Sequence, residues 1–218
     1  MNKETTNYLK SLIIPVSIIL LGIIVGRVFF TFIKNWSWIP IVLFYWLAVS
    51  FVLYIDYKKN RKRPIDYFRG YKFKISTVIL SLIVGLIPLP ILLKYFYLFN
   101  SSYLILFWIL LAIINPFFEE IFWRAYMLDM SPKIPLWIKV IVSSLLFSAA
   151  HPLIWGIFSP SMLTIEMIIS VFIMGIVWSY VYIKSKSLIL PYFSHLLVDL
   201  FGCSILAFLN LLPIMSNI

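Results

Sequence analysis

One cysteine, two histidines, eight acidic residues and seven glycines are spread over 218 residues, which leaves few means of building most kinds of site. The lone Cys203 excludes an internal disulfide and a multi-cysteine metal centre. It lies in an apolar C-terminal run beside Gly202 and reads as packing, because a buried free thiol behaves as a small hydrophobe. Charged residues make up only 12% of the chain against 63% hydrophobic residues, a balance outside that of a soluble globular domain. No internal repeat or low-complexity tract is present, so an inverted-repeat transporter gains no support. The net charge of +10 would suit nucleic acid, but Lys and Arg fall in short stretches between apolar runs, where they orient a chain in a bilayer. Nucleic-acid binding is therefore set aside.

What is present is a series of long apolar runs, near 11–33, 36–55, 75–98, 103–128, 137–156, 163–183 and 188–212. They predict an all-α fold, a polytopic membrane bundle of about seven helices, with an eighth span or a re-entrant piece left open. The whole chain, 1–218, reads as a single integral membrane domain. The first run follows Lys3 and Lys10 like a signal peptide but continues to Ile33 without a clear small-residue cleavage site, and is kept as a span. With the N-terminus in the cytoplasm, 14 of the 18 Lys and Arg residues fall inside, in the N-terminal segment, between Lys58 and Lys74, and at Lys133, Lys139, Lys184 and Lys186. Lys34 and Lys94 fall outside, and Arg27 and Arg124 within spans. The run Lys58, Lys59, Arg61, Lys62, Arg63 is assigned to anionic lipid headgroups. Pro88 and Pro90 should break or kink the third span, and Pro116 the fourth, just before its carboxylates. Trp36, Trp38 and Trp155 read as interface anchors, Arg27 as snorkelling or pairing within the bundle, and Glu166 as a solvated structural residue near the start of the sixth span.

Three of the acids of the second half, Glu119, Glu120 and Asp199, lie with both histidines in its apolar runs, where a charge costs about 2.5–3.5 kcal/mol at mid-bilayer and is normally paired, turned inward and functional. They form three clusters. In Glu119-Glu120-Ile121-Phe122-Trp123-Arg124, Glu120 and Arg124 share a helical face and can form an ion pair, leaving Glu119, about 100° round the helix, free to face another helix. In Phe147-Ser148-Ala149-Ala150-His151, Phe147 lies one turn before His151 and can fix its rotamer, while the small residues permit close helix approach. In His195-Leu196-Leu197-Val198-Asp199, Asp199 can hold the His195 ring and set its tautomer. Counting about 1.5 Å per residue from the cytoplasmic ends puts Glu119 roughly 14 Å deep, His195 roughly 10 Å and His151 roughly 21 Å. Pro132 and Pro135 allow an interfacial segment that would bring His151 nearer the others.

Together E-E-x-x-x-R, F-x-x-x-H and H-x-x-x-D, in order on successive helices, resemble the motif set of the CAAX protease and bacteriocin-processing family of intramembrane endopeptidases, also called the Abi family. The resemblance covers about 103–212, taken as the motif-bearing catalytic core; the first hundred residues contribute compatible hydropathy. It implies hydrolysis of a peptide bond in a membrane-associated, in some members prenylated, protein or peptide. It also implies kinship with proteins of peptide maturation, bacteriocin immunity and regulation. Carried over, Glu119 and His151 would activate water, His195 and the residue at Asp199 would bind the oxyanion, and Glu120 and Arg124 would organise the site. Many members carry Asn at the last position; an ionised Asp can only accept, so Asp199 would be protonated, orient His195 or help bind a metal. Metal-free water activation is preferred, with a zinc site of Glu119, His151 and His195 as the alternative; the usual H-E-x-x-H zinc signature is absent. The expected partners are the lipid bilayer and a membrane-associated substrate, reached through a cavity opening to the cytoplasmic side, and the expected location is a prokaryotic plasma membrane. A proton-coupled transporter using Glu119, Glu120 and Asp199, and a non-catalytic immunity or scaffold protein, are the competing readings.

Overall fold

A computed structural model describes residues 8–9, 12–72, 74–130 and 133–212, so Lys3, Lys10 and Pro132 lie outside the described residues. Among the described residues there are helices and turns and no strand, as apolar runs that must satisfy their own backbone in lipid require. The first apolar stretch, 13–60, folds into two helices, α1 (Ile13–Ile33) and α2 (Trp38–Asn60). Between them Lys34 takes φ 49° and ψ −125°, which no helix can continue, and α2 packs back on α1. Pro88 separates α3 (Ile75–Leu86) from α4 (Leu89–Tyr95), the break expected where an imide can donate no backbone bond. Then follow α5 (Ser102–Glu119), prolonged by a π-helical stretch Glu120–Tyr126, α6 (Leu136–Ile154) and α7 (Ile165–Ser185). The last two are α8 (Ile189–Phe201) and the short α9 (Ser204–Phe208).

Long, apolar helical stretches able to cross a membrane run over Ile13–Asn60, Ile75–Leu98, Ser102–Asp129, Leu136–Ile157 and Ile165–Ser185. Their outer faces carry exposed Phe32, Leu47, Phe51, Ile87 and Leu93, an apolar surface that suits lipid and not water. The protein is a polytopic membrane helix bundle.

The last predicted span differs. Over 188–212 the chain is not one helix: α8 has 13 residues, about 20 Å at 1.5 Å per residue, short of a hydrocarbon core of about 30 Å. It stops at Gly202, where a Cβ would lie 2.8 Å from the Val198 carbonyl oxygen, and Cys203 takes the left-handed conformation with φ 54°. Such a break is tolerable at membrane depth because it is buried in protein: α9 packs on α5, and Cys203 and Ile205 have no exposed surface.

The two ends of the bundle are distinct. At one, the connection after α2 docks on the turn after α7, with Lys72 N donating to Ser185 O at 2.7 Å and Leu188 N to Tyr67 O at 2.9 Å. Lys62 pairs with Asp129 at 3.3 Å there, and Lys139 Nζ donates to Leu128 O and Met130 O. The described loops that positive charge assigns to the cytoplasm therefore share one end. At the other, Asn35 donates to Leu209 O (3.2 Å), Ser159 to Ala207 O (2.7 Å) and Asn210 to Phe158 O (2.7 Å). Two of the tryptophans read as interface anchors are interior instead: Trp38 and Trp155 are buried, Trp155 stacking on Phe208 at 5.5 Å, because the α8–α9 break folds apolar chain over them. Trp36, Arg27 and Glu166 are exposed.

Candidate active site

Pro116 lies within α5 and the helix widens to π geometry at Glu120, one turn further on. A π-helical turn is rare and recurs at functional sites. Here Glu119 and Glu120 are both buried, and both reach the same imidazole.

That imidazole belongs to His195, on α8. Its Nδ1 lies 2.8 Å from Glu120 Oε1 and its Nε2 lies 3.4 Å from Glu119 Oε2. Asp199, the expected holder of the ring one turn along α8, is 4.0 Å from Nε2 and instead accepts from Ser204 Oγ at 3.2 Å. The ring is thus oriented chiefly by Glu120, across the α5–α8 interface, because the carboxylate facing Nδ1 comes from another helix. Trp178 of α7 stacks on His195 at 4.3 Å and 17°, and its own N–H donates to Ser194 Oγ at 2.9 Å. Gly85 lets α3 close on this part of α8, since a Cβ there would come within 3.1 Å of the Leu197 Cβ.

Glu120 has a second partner, as its spacing predicts: Arg124 Nε lies 3.3 Å from Glu120 Oε2, with both side chains fully buried. The guanidinium sits over Phe147 (4.3 Å) and Trp178 (5.3 Å), whose ring faces complement the charge. Phe147 also meets His151 edge-on at 4.9 Å, the packing expected from their i, i+4 spacing. His151 Nδ1 is 2.9 Å from the Phe147 carbonyl oxygen. A carbonyl only accepts, so Nδ1 carries the hydrogen and the neutral ring's Nε2 is left as an acceptor.

Glu119, His151, His195 and Asp199 line one cavity of about 40 Å³, with Asn115, Ser204 and an apolar wall that includes Val42, Leu111, Met162 and Met167. A polar cavity of this size admits water. All three sequence clusters therefore meet. Glu120 and Arg124 stand behind the cavity wall, holding His195. The cavity runs from Glu119 away from the basic loops, towards the end that carries Trp155, Met162 and Phe208. On the side of the basic loops it is closed by buried Glu120, Trp123 and Arg124, Trp123 donating to Tyr45 Oη at 2.7 Å. The wide aromatic side chains after Glu120 fill the bundle there.

Three residues of the site escaped the sequence reading. Asn115 is one turn before Glu119 on α5, Trp178 is the stacking partner of His195, and Ser204 is beyond the α8 break. A polar residue four before a functional carboxylate in an apolar helix is the one available signal, and it points to Asn115.

The family described as Type II CAAX prenyl endopeptidase Rce1-like matches residues 100–201. Over that stretch, a little under half of its length, the chain is similar to this family. The matched residues run from the start of α5 to the end of α8 and so include Glu119, Glu120, Arg124, His151, His195 and Asp199. No curated protein and no solved structure matches the chain. The match supports, at family level, a CAAX-type membrane-embedded peptidase. Among the described residues no three His, Cys, Asp or Glu side chains are grouped as a metal ion requires. His195, moreover, has a carboxylate on each ring nitrogen.

Proposed function

We propose that the protein is an intramembrane endopeptidase that hydrolyses a peptide bond of a membrane-associated protein or peptide with water activated by Glu119 and His151. The observation that carries this reading is the shared cavity, in which Glu119, His151, His195 and Asp199 converge from α5, α6 and α8.

In this mechanism water sits between two acceptors, the Glu119 carboxylate and His151 Nε2. Glu119 takes one proton as the water oxygen attacks the carbonyl carbon, and His151 holds the other hydrogen and fixes the direction of attack. Protonated Glu119 no longer competes for His195 Nε2, and an N–H there can turn to the oxygen on which charge develops. The proton on Glu119 then passes to the leaving nitrogen as the C–N bond breaks. Glu120 and Arg124 act through His195: Glu120 fixes the ring, and Arg124 balances Glu120. The apolar wall of Val42, Leu111, Met162 and Met167 suits a substrate with apolar side chains or a lipid-modified end.

The test is cleavage of quenched-fluorescent peptides, prenylated and unmodified, by the detergent-purified chain, with products identified by mass and the assay repeated with a chelator. Cleavage insensitive to chelator is the expected result. Chelator-sensitive cleavage would move Glu119, His151 and His195 to a metal, and no cleavage of any peptide would count against the peptidase reading.

A further inference from the structure

Resting on the peptidase reading, we infer that Asn115 supplies the neutral amide donor that binds the oxyanion, a part the Asp199 carboxylate cannot play when ionised. Asn115 lies on α5 one helical turn before Glu119, so the two side chains share a face, and both line the cavity. Its amide has a defined direction. Trp46 Nε1 donates to Asn115 Oδ1 at 3.2 Å, and an indole N–H can only donate, so the oxygen end of the amide is turned to α2. The NH2 end then faces the cavity, with one N–H directed to the Asp199 carboxyl and the second left for a ligand. Trp46 is itself held, stacked on Phe118 at 5.7 Å and 21°.

The donor inventory of the cavity makes this amide matter. Ionised Glu119 and Asp199 only accept. His151 spends its N–H on the Phe147 carbonyl, His195 Nδ1 faces Glu120, His195 Nε2 faces Glu119 and is released to the oxyanion only as Glu119 takes its proton, and the Ser204 hydroxyl is directed to Asp199 Oδ1 and the Asp199 carbonyl. The Asn115 NH2 is a neutral donor whose position is fixed before substrate arrives, which is what stabilisation of developing charge requires. When water adds to the carbonyl carbon, the carbonyl electron pair moves to oxygen, and an Asn115 N–H donates to that oxygen. On collapse the pair returns, the C–N bond breaks, and Glu119 gives its proton to the amine.

The experiment is steady-state cleavage of a quenched-fluorescent peptide by the purified full chain and its Asn115→Ala and Trp46→Phe variants, with thermal unfolding recorded for each. Affinity for a phosphinate peptide, whose tetrahedral centre mimics the intermediate, is measured alongside. Asn115→Ala is expected to lower kcat by about 10²–10³-fold, the cost of one oxyanion donor, with KM within about twofold. It should weaken the phosphinate peptide by a similar factor. Trp46→Phe, which keeps an aromatic ring against Phe118 and loses the indole N–H together with the five-membered ring, is expected to lower kcat by about tenfold by releasing the amide. Should Asn115→Ala fail to fold, the Trp46→Phe variant decides, and an unchanged kcat there overturns the assignment. Cleavage by the unmodified chain that persists in folded Asn115→Ala overturns the role of Asn115 and leaves the peptidase reading standing. No cleavage by the unmodified chain overturns both.

Discussion

Glu120 Oε1 lies 2.8 Å from His195 Nδ1, so the second carboxylate of an adjacent pair, 75 residues away in sequence, sets the orientation of the imidazole. The same carboxyl group meets Arg124 through its other oxygen at 3.3 Å. Glu120 thereby joins α5 to α8 and divides the labour of the pair, with Glu119 left on the cavity.

Removing this link should cost both fold and function. Glu120→Ala leaves Arg124 buried without its carboxylate and is expected to destabilise the protein by about 3–5 kcal/mol. Chemical denaturation in detergent, compared with Glu120→Gln, checks this. The amide variant retains the shape and loses the charge, so a similar loss in both assigns the effect to the ion pair, and a loss in Ala alone assigns it to packing.

Phe147 touches Arg124, His151 and His195 with one ring. Phe147→Ala is expected to cost about 3–5 kcal/mol by the cavity it leaves. Phe147→Leu, which fills much of that volume without a π face, should regain part of the stability but less of the cleavage rate. Thermal unfolding and kcat measured on both variants separate the two contributions.

The break between α8 and α9 positions Ser204 on Asp199. Gly202→Ala puts a Cβ at 2.8 Å from the Val198 carbonyl oxygen, a contact that must be relieved by moving backbone. A loss of about 1–3 kcal/mol is expected, with a parallel fall in cleavage as Ser204 shifts. Unchanged unfolding would show that the break does not depend on a bare backbone at this position.

Asp199 accepts from Ser204 and lies 4.0 Å from His195 Nε2. Asp199→Asn keeps an acceptor oxygen for Ser204 and adds a donor to the cavity. Cleavage by this variant is expected to stay within about tenfold of the unmodified chain, as for a group that is not itself the proton acceptor. A collapse as deep as that of Glu119→Gln would place the Asp199 charge in the reaction.

Much of the site was legible because its contacts are local. The i, i+4 spacings of Glu120 with Arg124 and of Phe147 with His151 become an ion pair and an edge-on ring contact. The apolar runs become helices, the last of them broken at Gly202, and the Pro88 break falls where expected, whereas Pro116 lies inside α5 without ending it. The same rule misled at Asp199, since a neighbour one turn along can be outbid by a carboxylate from another helix, and no spacing encodes that. Trp178 was invisible for a related reason: stacking on His195 is set by how α7 packs on α8. The side to which the cavity extends was also not legible, because depth along a helix does not reveal which residues of its neighbours fill the space above and below.

The most direct test is cleavage of the peptide substrate by Glu119→Gln, a change that keeps the size and one accepting oxygen and removes the proton acceptor. Folding is confirmed in the same preparation by its unfolding temperature. A folded variant with kcat reduced by about 10²–10⁴-fold, the usual range for a lost general base, is the predicted result. A folded variant that cleaves at the rate of the unmodified chain would contradict the assignment of Glu119 as the group that activates water.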